Sequence, residues 1–381
     1  MSLIYLDNNA TTRMDPRVVE AMGPYLDEVY GNPSSVHRFG QRCRRAVDEA
    51  RAAVAGLLGC AEREVIFTSG GTESIHTAVR GIAHARSPRR RMVTTTVEHS
   101  ATVEACRQLE REGFEVVRIG VDGLGRLDLD SLAGAVNDQT AVVSLIWANN
   151  ETGVISPVAE AVDLCGSRGV PVHLDAVQAA GKVPIDVREV QASALSIAAH
   201  KFHGPKGVGA LFIRGGVRIR PLFAGSQEGG RRAGTENVAG IVGLGAAARL
   251  AAESLPQAGR IAELRDRFER QVLATIDRTQ VHGDPSRRVA NTSNIGFERL
   301  EAEAILLLLS EEGVCASAGA ACSSGSLEPS PVIRAMGVDE RYAHGAVRFS
   351  FSRFTTAEEA DAAVGILQGV VSRLREVLPV G

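Results

Sequence analysis

The chain has 381 residues, 44% apolar and 23% charged, a balance that suits a globular protein with a large core and two domains. With 42 basic residues against 45 acidic ones the net charge is −3, which gives no reason to expect a nucleic-acid or membrane partner. Residues 1–15 are polar and do not read as a signal peptide, and the longest apolar run, 304–309, is too short to span a bilayer, so a cytoplasmic protein is expected.

In chain order, a strand over 64–68 runs into Ser69-Gly70-Gly71-Thr72-Glu73 and a helix reaching about Arg86. A strand over 92–97, a helix over 100–112, a strand over 114–119 and a helix over 129–136 follow. The apolar run 141–148 is of the kind buried on both faces of a parallel sheet. A helix over 157–167 and strands over 171–175, 194–198 and 208–213 complete the series. This alternation predicts an α/β fold: a mainly parallel sheet flanked by helices and joined by right-handed crossovers. The composition shifts near 251–259, after a long alanine- and glycine-rich helix. Beyond it lie a charged helix (260–276), short strands (292–297 and 346–351) and a closing helix (356–378), which together make a smaller α+β unit. The expected division is a large domain over 15–255 and a small domain over 256–381, joined by the N-terminal segment 1–14. No internal repeat and no metal-ligand spacing stands out.

Four features sit where α/β sheets bind ligands, at the carboxyl ends of strands. Gly70-Gly71-Thr72 lies between a strand and a helix, where close backbone approach and free N–H groups suit a phosphate. It is neither a Walker A loop nor G-x-G-x-x-G, which disfavours a nucleotide. His99 also ends a strand and opens a helix, so its imidazole is placed to stack on a flat ring or carry a proton. Asp175 ends an apolar strand, where a carboxylate can pair with a cationic ring nitrogen and Gln178 can reach a ring oxygen. Lys201 follows small residues and His200, a setting that desolvates the amine and favours the neutral form needed for a Schiff base. Singly, Thr72 and His99 are also ordinary helix caps, Asp175 a strand-end turn residue and Lys201 a surface lysine. All four together, in this order, describe a pyridoxal phosphate site.

The chain resembles the cysteine desulfurases of the NifS/IscS group, in the class V branch of the fold-type I pyridoxal phosphate enzymes. The likeness is carried by Tyr5-Leu6-Asp7-Asn8-Asn9-Ala10-Thr11-Thr12, Gly31-Asn32-Pro33-Ser34-Ser35-Val36-His37, Phe67-Thr68-Ser69-Gly70-Gly71-Thr72-Glu73 and Ala148-Asn149-Asn150-Glu151-Thr152-Gly153. It continues through Asp175-Ala176-Val177-Gln178, His200-Lys201, Arg232-Ala233-Gly234-Thr235-Glu236-Asn237 and Cys322-Ser323-Ser324-Gly325-Ser326, essentially end to end. The resemblance implies a fold-type I transferase with pyridoxal 5'-phosphate as cofactor and L-cysteine as substrate. It makes Lys201 the lysine that forms the aldimine and His99 the ring-stacking proton carrier. Asp175 is implied to hold the ring nitrogen, Asn150 and Gln178 to contact the ring substituents, and Gly71, Thr72 and His200 to bind the phosphate. Thr235 is implied to reach across from a second subunit of a homodimer. Arg348 is implied to clamp the substrate carboxylate, and Asn32 to line the substrate pocket with Asn150.

The resemblance makes Cys322 the nucleophile that takes the substrate sulfur as a persulfide. Its surroundings are poor in bulky side chains, so a loop with an exposed thiol is expected. The other cysteines, Cys43, Cys60, Cys106, Cys165 and Cys315, form no C-x-x-C pair and read as free structural thiols. The sulfur would pass to an acceptor protein such as an iron–sulfur scaffold, with tRNA-thiolation carriers and nitrogenase assembly as further destinations. Two departures from the family stand out. Ala198 replaces a hydroxyl residue three positions before the lysine, and Ala318 and Ala320 partly replace the glycine–serine pattern of the cysteine loop. A selenocysteine lyase or a class V aminotransferase would use the same lysine, and a sulfur-carrier or scaffold protein could keep the fold. Cys322 argues against a plain aminotransferase, and the intact Lys201, His99, Asp175 and Cys322 against a scaffold.

Overall fold

The computed structural model describes residues 3–319 and 328–377. A short strand β1 (Ile4–Tyr5) opens the chain, followed by α1 (Pro16–Met22) and the long α2 (Arg38–Leu58). Strands and helices then alternate: β2 (Val65–Thr68), α3 (Gly71–Ala85), β3 (Arg91–Thr95), α4 (Ser100–Arg111), β4 (Glu115–Ile119), α5 (Leu129–Ala135), β5 (Thr140–Ile146), α6 (Val158–Gly166), β6 (Val172–Asp175), α7 (Val187–Val190), β7 (Ala194–Ala198) and β8 (Gly209–Ile213). Next come α8 (Val238–Ser254), α9 (Ala258–Thr275), β9 (Thr279–His282), β10 (Thr292–Phe297), α10 (Ala302–Glu311) and β11 (Val314–Cys315). The chain closes with α11 (Pro331–Ala335), α12 (Glu340–Ala343), β12 (Ala346–Ser350) and α13 (Ala357–Val377).

Seven strands form the main sheet in the order β2-β8-β7-β6-β5-β3-β4. β7, β6, β5, β3 and β4 run parallel to one another, as the alternation predicts. β8 departs from that pattern and lies antiparallel to both β7 and β2. The reason is chain length: only residues 199–208 join β7 to β8, too few for a helical crossover, so the strand turns back. Successive strand residues face opposite sides, which divides the core in two. Phe67, Val93, Val143, Leu195 and Phe212 pack with α2, α6 and α8 on one face. Their neighbours Ile66, Met92, Val142, Ala194 and Leu211 pack with α3 and α4 on the other. The α8–α9 stretch is apolar enough for a bilayer by composition, but 61% of its most apolar window is buried inside the molecule, as in a core helix.

The helix α2 leaves no clear mark in the sequence because arginines break its apolar pattern. It forms nonetheless, with His37 capping its start through Gly40 N–H and Gly59 (φ 69°) ending it in the left-handed conformation. A separate core gathers α9, α10 and α13 around the antiparallel sheet β12-β10-β9. Ile4 and Leu6 belong to this core, and β1 pairs in parallel with β11. The N-terminal segment therefore starts in the second core and crosses to the main sheet, where Thr12 N–H donates to the His200 carbonyl.

Candidate active site

The parallel strands β2, β3, β5, β6 and β7 all end at one edge of the main sheet, and the residues that follow them line an open cleft. After β2 come Gly71 and Thr72, after β3 His99, after β5 Asn150, at the end of β6 Asp175 with Gln178, and after β7 His200 and Lys201. Residues spread over 130 positions of sequence thus converge because βα units deliver every strand end to the same side.

Gly71 and Thr72 form the first turn of α3, whose N-cap, Gly70, offers no side chain to the free N–H groups. A Cβ on Gly71 would sit 2.9 Å from Val177 Cγ2, so glycine permits the close approach. Glu73, the acid of that turn, is held by Arg232 (2.8 Å) and by Ser69 N–H (2.7 Å). The helix N-terminus is left to favour an anion. His200 borders it, with Nδ1 3.2 Å from Thr11 Oγ1. Burial first, then Lys201 and Lys206, push His200 down to about 4, so its imidazole is neutral near pH 7.

His99 caps α4: its Nδ1 accepts from Ala101 N–H at 3.1 Å, which leaves the proton on Nε2. Burial lowers its proton affinity, the Asp175 carboxylate works the other way, and Lys201 adds to the lowering. Asp175 is buried and accepts from Val177 N–H at 3.0 Å. Burial raises its carboxyl, while His99, the Val177 N–H and Lys201 oppose the rise. A buried carboxylate facing an open cleft calls for a cation there. Lys201 Nζ donates to the carbonyls of Asn9 (2.7 Å) and Ala10 (2.8 Å). The cleft therefore combines an anion cradle, a carboxylate able to hold a ring N–H⁺, an imidazole and a lysine. These residues fit a flat, phosphate-bearing heterocycle with a carbonyl group within reach of the lysine.

Arg348 of β12 does not line the cleft but backs it. Its Nη2 pairs with Asp7 (2.8 Å), and its Nη1 donates to the carbonyls of Asn150 (2.9 Å) and Gly319 (3.3 Å). Asn32 is not brought to the cleft: it lies exposed before α2, its Oδ1 accepting from Ser34 N–H. Thr235 is also exposed and lines a neighbouring groove with Ser69 and Arg232. Cys322 and Ala320 lie outside the described residues. The residues on either side of that stretch are anchored beside the cleft, Gly319 by Arg348 and Ser330 by a hydrogen bond to Glu151. Ala198, the departure before the lysine, lines the cleft itself.

Several residues of the site carry no chemical signal in the sequence. Asn9, within the N-terminal motif, bonds Lys201, Gln178, Lys182, Asn291 and Thr292. Glu151 is buried and pushed up to about 7 by burial, against the pull of Ser330 and Arg348. Glu98, next to His99, is pushed up to about 8 by burial.

The chain matches the aminotransferase class-V family over residues 4–363. A cysteine desulfurase from Trichormus azollae is 50% identical over 381 residues, covering 100% of this chain and 95% of that protein. The cysteine desulfurase NifS of Azotobacter vinelandii is 49% identical over 382 residues, covering 100% of this chain and 95% of the relative. Among solved structures, a NifS-like protein superposes with a TM-score of 0.92 at 37% identity, over 97% of this chain and 100% of that one. SspA in complex with cysteine superposes with a TM-score of 0.82 at 29% identity, over 92% of this chain and 99% of that one. The chain belongs to the class-V aminotransferase family and, within it, to the cysteine desulfurases.

Proposed function

We propose that the chain takes sulfur from L-cysteine with pyridoxal phosphate as cofactor, releases L-alanine and keeps the sulfur as a persulfide on Cys322. The observation that carries this reading is the convergence of Gly71, Thr72, His99, Asp175, Gln178, His200 and Lys201 on one cleft. The relatives named above are cysteine desulfurases, and enzymes of their family depend in general on pyridoxal phosphate. The α3 N-terminus with His200 would hold the phosphate, Asp175 would hold the protonated ring nitrogen, and Gln178 and Asn150 would meet the ring substituents. Bound there, pyridoxal phosphate supplies an electron sink for the bonds at the substrate Cα.

This chain's own groups do the rest. Arg348, which backs the cleft, is assigned the substrate carboxylate; to take it, Nη1 has to exchange its Asn150 and Gly319 carbonyls while Nη2 stays on Asp7. Lys201 Nζ takes the Cα proton, its N–H groups oriented by the Asn9 and Ala10 carbonyls. His99 carries its mobile proton on Nε2. The Cys322 thiolate attacks the substrate sulfur: an S–S bond forms as the C–S bond breaks, and the electron pair stays with the carbon that becomes the alanine methyl group. Cysteine and the Cys322 thiol thus become alanine and a persulfide, with no external oxidant.

The same proposal includes a homodimer in which Thr235 of one protomer reaches the phosphate of the other. Its support is that Thr235 is exposed and does not line the cleft of its own chain. The sulfur then passes to an acceptor protein such as an iron–sulfur scaffold. In the decisive experiment wild type and C322A are fed L-cysteine, and sulfide and alanine are measured. C322A is expected to keep the visible absorption of the bound cofactor and lose turnover, whereas K201A loses that absorption. Undiminished turnover in C322A rejects the nucleophile, and a persistent band in K201A rejects the lysine.

A further inference from the structure

We propose that Lys182 is a positioning residue of this site, its Nζ fixing the amides of Gln178 and Asn9 and, through Asn9, the seat of Lys201. The proposal rests on the reading of the cleft as a pyridoxal phosphate site. Lys182 stands four residues after Gln178, in the turns that follow β6. Its Nζ donates to Asn9 Oδ1 at 2.9 Å and to Gln178 Oε1. Gln178 Nε2 in turn donates to the Asn9 carbonyl at 2.8 Å, the oxygen that also accepts from Lys201 Nζ at 2.7 Å. Lys182, Gln178 and Asn9 close a ring of hydrogen bonds with Lys201 on its edge.

Within that ring the Gln178 amide has one workable orientation. Charged or neutral, Nζ brings at least two N–H groups to two oxygens. Reversing the amide would set its oxygen against the Asn9 carbonyl and its N–H groups against those of Lys182. Held this way, Gln178 spends one hydrogen of Nε2 on Asn9 and keeps the second for a ligand in the cleft, as a donor to an anionic ring oxygen. Asn9 is fixed by the same logic. Its Oδ1 accepts from Lys182 and from Asn291 (3.0 Å), and its Nδ2 donates to Asn150 (3.2 Å) and Thr292 (2.8 Å). Lys182 also lines a second, largely apolar cleft together with Lys201, on the side towards Phe351 and Arg353. Burial, with Lys201 and Arg348 as like charges, holds Lys182 well below the ordinary lysine range. Any charge it keeps opposes a proton on Lys201.

Removing the Lys182 donor loosens the Gln178 N–H and removes that opposing charge, and both changes make the cofactor-linked groups easier to protonate. In the pyridoxal phosphate holoenzyme, K182M is expected to retain the cofactor. The pH midpoint of its visible absorption should rise by about one unit or more relative to wild type. Its kcat for L-cysteine is expected to fall while KM changes little. An unmoved midpoint in K182M, with only a lower melting temperature, would make Lys182 a structural lysine and overturn the proposal. If K182M does not fold, K182Q is read on the same titration with the same two outcomes, since its shorter amide does not reach both oxygens. A wild-type protein that acquires no visible band with pyridoxal phosphate overturns the reading of the cleft and this proposal with it. A wild-type band beside an unmoved K182M overturns the role of Lys182 alone.

Discussion

Buried carboxyls set the character of this site one residue at a time. Glu98 is 7% exposed, and its Oε1 accepts from Thr95 Oγ1 (2.7 Å) and Ile146 N–H (3.0 Å). Its Oε2 is buried with no partner among the described residues. Burial outweighs both hydrogen bonds, and Asp175 adds like charge, so the carboxyl is pushed from the ordinary 4.5 to about 8. The folded chain therefore binds this proton more tightly than the unfolded chain. The stability it confers is fully present below pH 4.5 and is lost as pH rises to about 8. Urea melts of wild type and E98Q, which cannot ionise, should diverge across that window, with E98Q gaining by a few kcal/mol towards pH 8. A difference that does not change with pH would place the Glu98 titration elsewhere.

Among the elements, β8 fits its place closely. It wedges antiparallel between β7 and β2, and Gly209 at its start is where it passes the turn before α3. A Cβ there would lie 2.6 Å from the Ile197 carbonyl oxygen and 2.8 Å from Gly70 Cα, and both contacts are backbone. Because backbone cannot swing aside, G209A is expected to destabilise the fold by about 3 kcal/mol. It should also loosen cofactor binding, because the displaced turn carries Gly70 and Gly71. Equilibrium unfolding together with cofactor titration checks both, and a neutral G209A would show that the turn gives way freely.

The sheet, its parallel core and most strand ends are legible in the sequence because fully buried strands read as apolar runs. The residue after each run then marks the ligand edge, as with Asp175 and Lys201. The direction of β8 is not legible from its composition and follows only from the short 199–208 connection. α2 is hidden by its arginines, of which Arg44 and Arg51 pair with Glu236 and Glu228 from much later in the chain. The ring of Asn9, Gln178 and Lys182 is hidden for a related reason. Amide and lysine side chains carry no pattern of their own, and only the fold brings position 9 beside position 182.

At the scale of the whole molecule, the N-terminal segment ties two cores to one site. β1 adds to the second core, Asp7 pairs with Arg348 of β12, and Asn9 and Ala10 receive Lys201 from the main sheet. Arg348 is 2% exposed, so removing its partner strands a buried cation. D7A is expected to cost about 3 kcal/mol of stability. If Arg348 takes the substrate carboxylate as proposed, D7A should also raise KM for cysteine, because Asp7 is what orients the guanidinium. Loss of stability with an unchanged KM would place Arg348 in the framework and outside substrate binding.

In the proposed reaction Lys201 takes the Cα proton of cysteine and Cys322 takes its sulfur. A single incubation of the holoenzyme with L-cysteine, in the absence of any acceptor or reductant, tests it most directly. Alanine is counted in solution, and the peptide containing Cys322 is weighed by mass spectrometry. Alanine and a Cys322 peptide heavier by one sulfur atom are expected in equal amounts, with neither formed by C322A. Alanine formed with no sulfur on that peptide, or formed equally well by C322A, would contradict it.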